Sequence, residues 1–117
     1  MTVPSTSSSL DVTLRTLDDG ITLVCLTGDL DALSVSRLRE VIGRLVPGDD
    51  TVFDLSGVPF IDSAGLGALI AGVRRVRESG ARAMVVSSRA NVVRLLRVTG
   101  FDRIAPVHPS LDEAIAV

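Results

Sequence analysis

Apolar and polar positions change rhythm several times along the chain, and each change marks an element. Leu10–Leu17 and Ile21–Thr27 are two β-type runs separated by Asp18-Asp19-Gly20, residues suited to a tight reversal, and they predict a hairpin. Beyond Gly28-Asp29-Leu30-Asp31 the apolar residues fall at Val35, Leu38, Val41, Ile42, Leu45 and Val46. That spacing predicts a helix capped by Ser34, with its arginines facing solvent. Pro47-Gly48-Asp49-Asp50 ends it, and Thr51-Val52-Phe53-Asp54-Leu55 reads as a central strand.

From Ser63 a second helical stripe runs through Leu66, Leu69, Ile70, Val73 and Val76 to a stop at Gly80. Arg82–Ser87 predicts another strand, and Ser88 a cap for a helix carrying Val92, Leu95 and Leu96 as far as Gly100. Arg103-Ile104-Ala105 is expected to be a short final strand. Ser110 and Glu113 have the spacing of a capping box, so a last helix should turn Leu111 and Ile115 inward.

The order β-β-α-β-α-β-α-β-α predicts a single α/β domain. It should hold a mainly parallel sheet of about five strands, an antiparallel hairpin at one edge and about four helices. Residues 1–9, rich in Ser, Thr and Pro, read as a flexible tail and 10–117 as the domain, within the usual size of one hydrophobic core. The tail lacks the basic and apolar blocks of a secretory signal. No apolar run reaches the roughly 20 residues needed to cross a bilayer.

Composition then removes several functions. All twelve basic residues are arginine, the net charge is −2, and three phenylalanines are the only aromatic residues, so nothing favours direct binding of nucleic acid. Asp54 at a strand end invites comparison with a phosphorylated receiver aspartate, but that chemistry employs a lysine and the chain has none. No phosphate loop of the Walker type is present. Ser63 lacks the G-x-S-x-G elbow of a hydrolase, because Ile61 stands where the first glycine belongs.

His108, between Pro106 and Pro109, is expected in a surface loop. Asp29, Asp31, Asp54 and Asp62 invite a magnesium ion, although scattered solvated carboxylates are the commoner arrangement. Arg74, Arg75 and Arg77 form a basic run that should be solvated or meet an acidic partner. The lone Cys25 is expected to be a buried thiol without a basic neighbour, and cysteine usage suits the cytoplasm. No catalytic residue, metal site or cofactor is predicted.

Loops leaving strand ends in such sheets commonly hold ligands or partners, which directs attention to residues 29–34 and 57–65. Asp62-Ser63-Ala64-Gly65-Leu66-Gly67 lies where a loop becomes a helix, with Asp62 or Ser63 as N-cap. Two glycines in a first turn cost roughly 1 kcal/mol each relative to alanine. Either they allow the helix to pack closely on the sheet, or they leave a flat patch through which another protein reaches Ser63.

Four segments carry a resemblance: Thr27-Gly28-Asp29-Leu30-Asp31, Val52-Phe53-Asp54-Leu55-Ser56-Gly57-Val58, Phe60-Ile61-Asp62-Ser63-Ala64-Gly65-Leu66-Gly67, and Leu95-Leu96-Arg97-Val98-Thr99-Gly100-Phe101-Asp102. Together they resemble the STAS domain of bacterial anti-sigma factor antagonists, in register from about residue 11 to residue 115. The resemblance implies a non-enzymatic module whose unphosphorylated form binds an anti-sigma factor and frees a sigma factor. It further implies that the anti-sigma factor, a serine kinase, phosphorylates Ser63 to end the interaction and that a metal-dependent serine phosphatase resets it.

Ala64 stands where the family often has Ser or Thr, which leaves Ser63 as the single local hydroxyl. Asp31 matches an acidic partner-facing position and Asp29 one often occupied by Glu. The implied partner surface is therefore Asp29, Asp31, Asp62, Ser63, Ala64, Gly65, Leu66 and Gly67, on a monomer or weak dimer away from membranes. The alternative is an unphosphorylated STAS subunit of a lipid transporter or of a larger signalling assembly.

Overall fold

The computed structural model describes residues 10–116; the expected tail at residues 1–9 lies outside them. The hairpin forms as expected from β1 (Asp11–Thr16) and β2 (Thr22–Thr27), and the Leu17 amide donates to the Ile21 carbonyl at 2.8 Å to close the turn. Then follow α1 (Val35–Ile42), β3 (Thr51–Gly57), α2 (Ser63–Glu78), β4 (Ala83–Val86), α3 (Ala90–Val98), β5 (Val107–His108) and α4 (Leu111–Ile115). The strands lie in the order β1-β2-β3-β4-β5, antiparallel in the first pair and parallel thereafter.

A strand order that follows the chain puts crossover helices of one hand on one face of the sheet. Accordingly Leu38 and Ile42 of α1, Leu69 and Val73 of α2, and Val92 and Leu96 of α3 share one core with Val24, Phe53 and Val85. On the opposite face α4 packs Ala114 onto Leu23, Val52 and Met84, with Leu111 and Ile115 partly buried beside it. Ser110 caps α4 by accepting from the Glu113 amide at 3.2 Å, as the capping spacing predicts.

Several details differ from the sequence expectation. Arg103-Ile104-Ala105 does not form a strand: α3 ends at Val98 with Thr99 as its C-cap, Gly100 (φ 79°) turns the chain, and Phe101–Arg103 is a 3-10 turn anchored by the buried Phe101 ring. The Ile104 amide donates to the Phe101 carbonyl at 2.8 Å, which commits that segment to a turn, so the edge strand starts only after Pro106. His108 consequently sits in β5 rather than in a loop, its carbonyl accepting from the amide of Ser87, just beyond β4.

The N-cap of α3 is Arg89 without a side-chain cap bond, and Ser88 is simply exposed. Val46, counted in the stripe of α1, is exposed beyond the helix end. Cys25 is half-buried rather than buried, because it faces the side of the sheet that the short α4 covers only in part.

Candidate functional site

The loops after β2 and β3 are stitched together at the C-terminal ends of the parallel strands. The Gly28 amide donates to the Gly57 carbonyl at 2.9 Å and the Leu30 amide to the Phe60 carbonyl at 3.0 Å. Leu30 returns the contact by accepting from the Asp62 amide at 3.2 Å, and Leu30 and Ile61 form an isolated parallel bridge. Backbone pairing thus continues past the strand ends and brings residues 29–34 against residues 57–63.

Asp62 is the N-cap of α2, which resolves the choice left by the sequence. Its Oδ1 accepts from the Gly65 amide at 2.8 Å and its Oδ2 from the Ala32 amide of the neighbouring loop at 3.0 Å. These bonds favour the ionised form, the one from Gly65 most, and hold the carboxyl below the usual aspartate range against a smaller opposing effect of desolvation. Both oxygens are therefore spent inside the protein, and Asp62 clamps the loop of Ala32 to the start of α2.

Ser63 follows as the first residue of α2. It is exposed, and its hydroxyl has no hydrogen-bond partner among the described residues. The two glycines beyond it separate in role. Gly65 is buried against the backbone of Leu30, whereas a β-carbon on Gly67 would meet nothing within 4 Å. Gly67 lies one helical turn from Ser63, on the same face, so its missing side chain flattens the surface beside the hydroxyl. Ala64 and Leu66 are half-buried, and Leu66 packs partly on the core.

The acidic residues of the β2–α1 loop differ from one another. Asp31 accepts from the Leu33 amide at 3.1 Å, and Ser34, expected to cap α1 by its hydroxyl, instead uses it within the loop. That hydroxyl donates to the Asp29 carbonyl at 2.8 Å and accepts from the Asp31 amide at 3.0 Å. Asp29 is half-buried, with no bond to its carboxylate among the described residues. Asp54 lies apart, engaged with the Ser56 amide at 2.9 Å. No group of three His, Cys, Asp or Glu side chains among the described residues gathers in a way that could hold a metal ion.

Two large apolar residues not selected as site residues from the sequence are exposed in these loops. Leu33 is 70% exposed in the first loop and Phe60 49% exposed in the second, each beside the stitched backbone that presents Ser63. A large apolar residue in a loop gives no periodic signal, so neither stood out in the sequence pattern. Phe60 was legible only as a neighbour of the Asp-Ser segment.

Residues 15–114 match the model of the STAS domain family. The chain belongs to that family. Among its relatives, the anti-sigma-F factor antagonist RsfB of Mycobacterium tuberculosis is 28% identical over 95% of this chain and 91% of its own. The anti-sigma-B factor antagonist of Bacillus subtilis is 30% identical over 72% of this chain and 78% of its own. The crystal structure of an anti-sigma factor antagonist from Mycobacterium paratuberculosis superimposes with a TM-score of 0.85 at 28% identity, covering 97% of each chain. In this STAS domain no described helix is long and apolar enough to cross a membrane.

Proposed function

We propose that this STAS protein is an anti-sigma factor antagonist switched by phosphorylation of Ser63. Unphosphorylated, it presents the stitched loops and the first turn of α2 to an anti-sigma factor, whose capture frees a sigma factor. Asp29, Asp31, Ala64, Leu66 and the bare face of Gly67 frame Ser63, while Asp62 and Gly65 hold that frame in place. The anti-sigma factor acts as the serine kinase that ends the interaction, and a metal-dependent serine phosphatase restores the free hydroxyl. The protein itself is a cytoplasmic binding module, a monomer or weak dimer, rather than an enzyme.

The single observation that carries this reading is the unengaged, exposed Ser63 hydroxyl on a flat first turn, at the position where the chain resembles phosphorylated antagonists. Energetics place the switch at the interface. Inverting a two-state population takes about 5.5 kcal/mol of differential affinity. A charge at an exposed helix N-terminus supplies only about 0.3–1 kcal/mol. Asp62 already occupies that N-terminus, so a phosphate on the next residue meets a like charge there. Repulsion and desolvation within the contact patch are the larger effects.

Incubation with the cognate anti-sigma kinase and ATP, followed by intact-mass measurement, tests the reading. One phosphate is expected on the wild type and none on Ser63→Ala. Modification of Ser63→Ala, or binding of the anti-sigma factor by Ser63→Asp at wild-type strength, would overturn it.

A further inference from the structure

A groove of about 770 Å³ opens between α3 and the edge strand β5, on the flank of the sheet opposite the hairpin. Its size falls within the range of small-molecule sites. One wall is apolar: Val93, Val107, Pro109 and Val98, the last 76% exposed on α3 although it is a valine. The other feature is positive charge. Arg94 and Arg97, three residues apart on one face of α3, both line the groove, and neither side chain has a hydrogen-bond or ion-pair partner among the described residues.

Ser87 and Ser88, just beyond β4, and Asp102, the one carboxylate of the lining, also border the groove; His108 borders it from β5, in register with Val86, whose side chain packs on the α4 face of the sheet. Two unpaired guanidiniums select an anion, since each charge-assisted bond to a carboxylate or phosphate oxygen is about twice as strong as a neutral one. No Phe, Tyr or Trp lines the groove, so it offers no wide aromatic face to a nucleobase. The exposed Val98, the half-buried Val93 and Val107, and the proline instead suit an aliphatic chain.

We infer that this groove is a binding site for a soluble anionic amphiphile, its acidic head on Arg94 and Arg97 and its aliphatic tail along Val93, Val98 and Val107. The site is separate from the Ser63 surface and does not depend on the function proposed for it.

Monomeric dodecanoate is the probe, titrated into the full chain by calorimetry and by methyl NMR. Saturable one-to-one binding is expected, with shifts concentrated on Val93, Val98 and Val107. Arg94→Gln with Arg97→Gln should weaken it by about tenfold or more. Val98→Asp, which places a carboxylate in the tail path, should abolish it. Equal binding of dodecanol or dodecyltrimethylammonium would overturn the inference, because the arginines would then select nothing. So would an unsaturated titration at millimolar dodecanoate, or association with anionic phospholipid vesicles but not with the monomeric acid.

Discussion

The carbonyl oxygen of Leu30 stands 2.2 Å from the point where a β-carbon on Gly65 would lie. Real side chains do not approach backbone that closely, so alanine there must push α2 away from the β2–α1 loop. Gly67 has no such constraint, yet it costs helix stability for no packing return. Gly65→Ala should therefore lower unfolding free energy by about 1–3 kcal/mol, the range for overpacking. Gly67→Ala should raise it by about 0.5–1 kcal/mol while weakening anti-sigma factor binding. Denaturant titration alongside a binding assay separates these effects. A stabilised Gly67→Ala protein that binds as wild type would remove Gly67 from the partner surface.

How far the site was legible in the sequence follows from the same pair. The Asp-Ser-Ala-Gly-Leu-Gly segment announced a helix start, but nothing local distinguished a glycine demanded by Leu30, thirty-five positions earlier, from one demanded by nothing inside the protein. Periodicity located the helices and central strands because their burial is set by the sheet. It misplaced the last strand because Ile104 and Ala105 are apolar for a different reason, packing around the turn of Phe101. Leu33 escaped notice, and Phe60 stood out only through its segment, because an exposed apolar residue in a loop has no rhythm to break.

Acid should expose the clamp made by Asp62. Its carboxyl titrates below the ordinary aspartate value of 3.8 in the folded protein, so its contribution to stability is present in full above that value and is lost as the pH falls through the lower, folded one. Asp62→Asn should thus be less stable than wild type at neutral pH, and the gap should narrow below pH 3.8. Parallel urea melts over that interval provide the check. A gap constant down to the acid limit would show that the charge on Asp62 contributes nothing.

Leu33 and Phe60 should anchor the partner. Both are exposed, so Leu33→Asp and Phe60→Ser should leave stability within about 0.5 kcal/mol. Buried apolar anchors at the centre of an interface commonly carry a large share of the binding energy, and each change should weaken the complex by about tenfold or more. Titration calorimetry against the anti-sigma factor measures this. Wild-type affinity in both variants would move the interface away from these loops.

The loop that carries Phe60 is also held from the far side. The Asn91 amide of α3 donates to the Pro59 carbonyl at 2.7 Å, and the Arg89 guanidinium to the Ser56 carbonyl at 3.1 Å. Such exposed bonds contribute about 1 kcal/mol or less. Asn91→Ala should therefore be almost neutral for folding but should accelerate amide exchange at Phe60 and Ile61. It should also raise the dissociation rate of the anti-sigma factor, because the loop has more freedom to lose on binding. Unchanged exchange in this loop would mean that the β2–α1 stitching alone orders it.

Cys25 provides a test of the sheet's uncovered face. Its lateral neighbour in β3 is Asp54, and burial followed by that negative charge raises the thiol above its ordinary value. Contrary to the sequence expectation, a basic residue is near: Arg15 of β1 acts in the opposite direction but more weakly. Since only the thiolate reacts, Cys25 should alkylate with iodoacetamide more slowly than a free thiol at neutral pH. Asp54→Asn should speed the reaction by removing the repulsion, and it keeps an oxygen for the Ser56 amide. Arg15→Gln should slow it. The order Asp54→Asn, wild type, Arg15→Gln in alkylation rate is the expected outcome; identical rates would leave burial as the only influence on the thiol.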